Sequence, residues 1–120
     1  MQDLKLGAIE TRFAHIVWEH APLTTDRLVE LCGAELQWKR TTTYTVLKKL
    51  SEKGLFRTEN STVTVLMSRE EFEAAQSAAF VEETFRGSLP AFVAAFTRKK
   101  EISPQELREL RELLDRYVED

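Results

Sequence analysis

A mainly α fold with one small β-hairpin is predicted by three features of the 120-residue sequence. Apolar residues recur at helical spacing in most segments. One pair of short β-branched runs stands near the middle. Gly, Pro, Ser or Thr punctuates nearly every boundary between these pieces.

The elements follow in order. From Gly7 to His20 the residues Ile9, Phe13, Ile16 and Val17 keep helical spacing, with Trp18 adding bulk, and Pro22 ends the run. Thr24 or Thr25 is placed to cap a second helix that carries Leu28, Val29, Leu31 and Cys32 on its buried side, with Gly33 as the expected terminator. After the connection Ala34 to Trp38, a third helix is expected over Thr41–Lys53 on the apolar positions Val46, Leu47 and Leu50, stopped by Gly54. Leu55–Thr58 and Thr62–Met67 read as strands joined by the polar loop Glu59-Asn60-Ser61. Three helices followed by a hairpin on short connections make the winged helix-turn-helix arrangement.

Beyond the hairpin, Ser68 with Glu71 forms a capping-box pattern that opens a helix to about Phe85 with Phe72, Ala75, Ala79 and Phe80 as its apolar stripe. Arg86-Gly87 breaks it, and Ser88 starts another helix through Leu89, Phe92, Val93 and Phe96. Ser103, Pro104 and Glu106 supply cap, first-turn proline and capping glutamate for a last helix, in which Leu107, Leu110, Leu114 and Tyr117 keep a/d-like spacing. The expected division is residues 1–67 as a winged-helix domain and 68–120 as a helical region. The three-helix core with its hairpin is complete without these last helices. Their stripes are therefore assigned to dimerisation, through Phe72, Phe80, Phe92, Leu107, Leu110, Leu114 and Tyr117; folding back on the same chain is the alternative.

The composition, 42% apolar and 31% charged, fits one ordinary soluble domain or a small domain with a helical appendage. Apolar stretches are far shorter than the ~20 residues of a membrane span. Met1-Gln2-Asp3-Leu4 is not the basic-then-apolar start of a secretory signal, so a cytoplasmic location is expected. Cys32 is the single cysteine, and His15 and His20 lie five apart, off a common helix face. Without a His-Glu-x-x-His motif, a nucleophile elbow or a Gly-rich phosphate loop, no enzyme, metal site or cofactor is expected.

The net charge of −3 conceals an uneven distribution. Between Gln37 and Arg57 stand Lys39, Arg40, Lys48, Lys49, Lys53 and Arg57, opposed only by Glu52, while acids crowd the chain further on. Screening confines each field to about 8–10 Å, so such a stretch can bind phosphate on an acidic body; on charge alone, a solvated helix face with scattered lysines is the simpler reading. Thr41, Thr42, Thr43 and Thr45 sharpen the choice, because threonines are poor helix formers and their clustering asks for another reason. At the start of a helix in the major groove, their hydroxyls and methyls reach base edges. Tyr44 can reach a phosphate or sugar, and Lys39, Arg40, Lys48 and Lys49 suit the DNA backbone. Double-stranded DNA is the expected partner. A winged-helix protein-interaction module that never touches DNA, or an adaptor joining a larger complex through its C-terminal helices, are the rival readings.

The run from Trp38 through Thr41-Thr42-Thr43-Tyr44-Thr45-Val46-Leu47-Lys48-Lys49-Leu50 to Gly54-Leu55 resembles the recognition-helix block of the penicillinase-repressor family, the BlaI/MecI/CopY group of transcriptional repressors. Ile9-Glu10 and Ile16-Val17-Trp18 resemble its first helix. Ser88-Leu89 to Phe96, Ile102-Ser103 and Glu106-Leu107 resemble its C-terminal part.

The resemblance implies a homodimeric repressor that occludes a promoter at a palindromic operator, near genes for antibiotic resistance or metal handling. It places Thr42, Tyr44 and Thr45 on DNA-contacting positions, and Thr41 where many members carry lysine. Antibiotic-responsive members are cleaved in the dimerisation region through a membrane-bound metalloprotease sensor, so a regulatory protease becomes a candidate partner. The corresponding bond is Ala95–Phe96, with Ala95 standing where cleaved members carry asparagine. The cysteine cluster of the copper-responsive branch has no counterpart here, and copper sensing is not expected.

Overall fold

The computed structural model describes residues 4–117. Its elements are α1 (Ala8–His20), β1 (Leu23–Thr24), α2 (Thr25–Leu36), α3 (Arg40–Glu52), β2 (Phe56–Glu59), β3 (Thr62–Val65), α4 (Arg69–Phe85), α5 (Leu89–Lys99) and α6 (Pro104–Asp115). The mainly helical class and the winged helix-turn-helix order are as the sequence predicts. Two compact units emerge, Met1–Ala78 and Ala79–Asp120. Among the described residues no helix is long and apolar enough to cross a membrane.

The first unit is built around α1. Glu10 accepts the Gly7 N–H at 3.0 Å, satisfying a donor that the helix start would otherwise leave unpaired. Phe13, Ala14, Ile16 and Val17 then line the buried side and meet Leu28 and Cys32 of α2, Leu47 and Leu50 of α3, and Phe56 and Val63 of the sheet. Phe13 is fully buried, stacked on Trp38 at 5.7 Å and edge-on to Phe56 at 6.4 Å. Truncating a phenylalanine in such a setting to alanine costs about 3–5 kcal/mol.

Helix α2 begins at the expected cap, with Thr24 accepting from the Arg27 N–H at 3.1 Å. It does not end at Gly33. The helix continues to Leu36, and Gln37 takes the left-handed conformation (φ 57°) that terminates it. Gly33 misleads because a glycine stops a helix only where positive φ is needed, and here its backbone stays helical. Gly54 does meet that need after α3: it has φ 89°, and the Leu55 N–H closes back on the Leu50 carbonyl at 3.1 Å.

The wing is a sheet of three strands in the order β1-β3-β2, all antiparallel. The two-residue β1 pairs Leu23 with Val63 and Thr24 with Thr62, and is too short to leave an alternation in the sequence. The hairpin loop is also tighter than the expected Glu59-Asn60-Ser61. Glu59 pairs with Thr62, leaving Asn60 (φ 53°) and Ser61 (φ 58°) as a two-residue turn with both φ positive.

The second unit comprises the end of α4 with α5 and α6. Arg86 (φ 52°) and Gly87 (φ 80°) end α4, as the Arg86-Gly87 break predicts, and the Gly87 N–H bonds the Val81 carbonyl at 3.0 Å. The Ser88 hydroxyl caps α5 by accepting from the Ala91 N–H at 3.1 Å. In α6 the box is reciprocal: Ser103 accepts from the Glu106 N–H at 3.0 Å, and Glu106 accepts from the Ser103 N–H at 3.3 Å. Phe85 and Phe92 meet edge to face at 5.6 Å, flanked by Phe80 and Phe96. This unit still leaves no residue of α5 or α6 fully buried.

Candidate nucleic-acid interface

Helix α3 is held by one face. Thr43 (1% exposed), Leu47 and Leu50 face the core. This corrects the expectation that Thr43 offers a hydroxyl outward; it points inward and donates to the Lys39 carbonyl at 3.2 Å. Thr45 bonds back in the same way to the Thr41 carbonyl at 2.9 Å. Returning the hydroxyl to the carbonyl four residues earlier reconciles a threonine run with helical backbone. It also leaves Thr45 presenting its methyl group and its oxygen lone pairs.

With 100° per residue, burial of Thr43, Leu47 and Leu50 fixes what faces outward. Thr41, Thr45 and Lys48 stand above one another along the middle of the exposed face, all three exposed. Thr42 and Lys49 flank this row on the side of α1, and Arg40 and Tyr44 flank it on the side of α2. Lys39, the N-cap residue, is exposed at the helix start, where unpaired N–H groups favour anions. Arg57, on β2, is exposed on the wing. The expected DNA-facing residues Lys39, Arg40, Thr41, Thr42, Tyr44, Thr45, Lys48, Lys49 and Arg57 are thus all exposed on α3, at its start or on the hairpin.

Both flanks are tied to neighbouring elements, which the sequence does not disclose. Arg40 contacts Asp26 of α2 at 3.2 Å, and its guanidinium lies 5.9 Å from the Tyr44 ring centroid. Lys49 pairs with Glu10 of α1. The Lys49 ammonium, helped by the Gly7 N–H, holds the Glu10 carboxyl below its ordinary range. Arg57 pairs with Glu59 at 2.9 Å on its own strand, and Lys53 donates to the Lys5 carbonyl at 2.7 Å. Among the described residues Lys39 and Lys48 have no ion-pair partner.

Behind this face, Cys32 is fully buried and its thiol is pushed up to about 11 by that burial, only partly offset by a hydrogen bond with Thr43. It serves as a core side chain. Among the described residues no group of His, Cys, Asp or Glu is arranged to hold a metal ion.

The residues assigned to dimerisation divide. Phe72, at 2% exposure, sits in the core of the first unit against Trp18, 5.6 Å between ring centroids, so its surface is already covered. In the second unit Phe80 (49%), Leu114 (46%) and Tyr117 (82%) stay exposed, as does Leu107, while Phe92 and Leu110 are half-buried. Phe92, Val93, Phe96, Ile102, Leu110 and Leu113 line an open apolar groove of about 410 Å³. The bond Ala95–Phe96 lies inside α5, with Ala95 half-buried and Phe96 exposed.

A family model described as Penicillinase repressor matches residues 6–116. The chain is similar to the methicillin resistance regulatory protein MecI of Staphylococcus aureus, 22% identical over 116 residues, which cover 93% of this chain and 94% of that protein. It is 20% identical over 117 residues to the penicillinase repressor of Bacillus licheniformis, covering 94% and 91% of the two chains. The MecI protein of Mammaliicoccus sciuri is 21% identical over 116 residues, with coverage of 93% and 94%.

Proposed function

The chain belongs to the penicillinase-repressor family of winged-helix DNA-binding repressors, not to an enzyme family, and on that premise we propose that it is a homodimer holding a palindromic promoter operator. The observation that carries this reading is the exposed row Thr41, Thr45 and Lys48 on a helix whose opposite face is fixed in the core. Short polar side chains at the N-terminal half of such a helix suit base edges, and the cations around them suit phosphates. Two copies would each read half a site. A cytoplasmic location is part of the same proposal.

The dimer rests on the second unit. Its groove and its exposed Phe80, Phe96, Leu113, Leu114 and Tyr117 form the kind of apolar surface that marks a protein interface. Phe80, Phe92, Leu107, Leu110, Leu114 and Tyr117 form the proposed contact, and Phe72 contributes only by anchoring α4.

Regulation by proteolysis at Ala95–Phe96, and a link to antibiotic-resistance genes, complete the proposal by family resemblance. Proteases bind extended backbone, so cutting inside α5 requires that helix to open locally. Selection and sequencing of DNA fragments captured by the purified protein tests the reading. Enriched inverted repeats, with half-site centres about 10–10.5 bp apart or a multiple of that, are expected. Enrichment of no sequence would overturn it.

A further inference from the structure

Three of the five cations assigned to the DNA face are each paired with a carboxylate, and each of those carboxylates comes from a different element. Lys49 meets Glu10 of α1, Arg40 meets Asp26 of α2, and Arg57 meets Glu59 of the wing. The acids that hold Arg40 and Lys49 flank α3 on its two sides. Lys39 and Lys48, which have no ion-pair partner among the described residues, lie at the helix start and along the middle row. A carboxylate at that distance offers a cation the same charge-assisted contact as a DNA phosphate.

We propose that Glu10 and Asp26 are internal competitors of the DNA backbone, so that phosphate engages Lys49 and Arg40 only by displacing them. The inference rests on the DNA-binding reading above. It assigns to two acidic residues outside the recognition helix the task of setting its affinity. Both pairs are half-exposed on the cation side, with side-chain exposures of 55% for Lys49 and 58% for Arg40, so the phosphates of a bound duplex can reach them. An exposed ion pair stabilises by up to about 1 kcal/mol, which limits each competitor to about a fivefold effect on binding. Asp26 also stands in the first turn of α2, where the helix start favours a negative charge in the absence of DNA.

The opposite role is a positioning one, in which the acids hold Lys49 and Arg40 in the geometry that DNA needs. The two roles predict opposite signs. Glu10→Gln and Asp26→Asn keep shape and hydrogen bonding, including the capacity of residue 10 to accept the Gly7 N–H, while removing the charge.

The test is titration of a random-sequence duplex by the full-length chain over a range of salt. Each variant is expected to bind about two- to fivefold tighter, with a log-affinity against log-salt slope up to about 0.9 steeper. The gain from Glu10→Gln should vanish in a Lys49→Met background, and Glu10→Asp should stay close to the parent. Glu70→Gln controls for net charge, since Glu70 is exposed on α4, off the DNA-facing row, and has no ion-pair partner among the described residues. Variants that bind equally or more weakly, or a Glu70→Gln gain as large as theirs, would overturn the competition. A parent protein that fails to bind the duplex at low salt would instead overturn the DNA-binding reading itself.

Discussion

The indole Nε1 of Trp18 donates to the Met67 carbonyl at 3.0 Å, joining α1 to the backbone where the wing ends and α4 begins. The same ring lies 5.9 Å from Phe56 and 5.6 Å from Phe72, centroid to centroid. One side chain therefore fixes the hairpin and the start of α4 against the first helix.

Trp18→Phe keeps an aromatic ring but removes the donor and leaves the Met67 carbonyl unpaired. A loss of about 1–2 kcal/mol in unfolding free energy is expected, read from urea denaturation. An unchanged midpoint would mean that the hydrogen bond contributes nothing net.

The wing turn carries avoidable strain. Ser61 holds φ 58° while its carbonyl accepts the Thr25 N–H at 3.0 Å, a bond that any residue can supply. Glycine relieves about 1–2 kcal/mol of left-handed strain and restores about 0.5–1 kcal/mol of unfolded-state entropy. Ser61→Gly is expected to raise stability by roughly 0.5–1 kcal/mol in thermal or urea unfolding, because an Asn-Gly pair suits a turn with both φ positive.

The Glu10–Lys49 pair makes stability depend on pH. Glu10 titrates below its ordinary value of 4.5 in the folded protein, chiefly because it bonds Lys49 and then the Gly7 N–H. A depressed carboxyl contributes its full stabilisation above the unfolded value, and loses it as pH falls through the lower folded value. Glu10→Gln should therefore flatten the stability profile below pH 4.5 and have its larger cost above it. A parallel displacement at all pH values would remove the pair from the account.

Legibility followed the length of each signal. Helical periodicity and the Ser103, Pro104 and Glu106 start were readable because the physics that makes them is local. The two residues of β1 and the left-handed Gln37 were not, since pairing with Val63 and packing around Trp38 decide them. Within the interface, the exposure of Thr41, Thr42 and Thr45 followed from helical spacing, whereas the inward turn of Thr43 depends on which face the core claims. The acids beside Lys49 and Arg40 lie in other helices, and no sequence spacing brings them together. Phe72 showed the same apolar stripe as Phe80, yet the core of the first unit covers one and leaves the other exposed.

Leu114 is 46% exposed on α6, so a charge there disturbs the single chain little and a partner contact greatly. If the proposed dimer holds, the parent should sediment as a dimer and Leu114→Asp as a monomer, with unchanged helical circular dichroism. A variant that remains dimeric would move the interface away from α6.

The most direct measurement of the central claim, that the exposed row of α3 reads DNA, is a mobility-shift titration of Thr45→Ala beside the parent. The duplexes are a fragment enriched by the parent protein and a random sequence, each at several salt concentrations. For the parent, affinity should fall steeply with salt, as phosphate contacts require. Thr45→Ala should weaken the enriched fragment by about 1–3 kcal/mol and leave the random duplex nearly unchanged. A flat salt response, or a variant that binds the enriched fragment like the parent, would contradict the assignment of α3 as the reading helix.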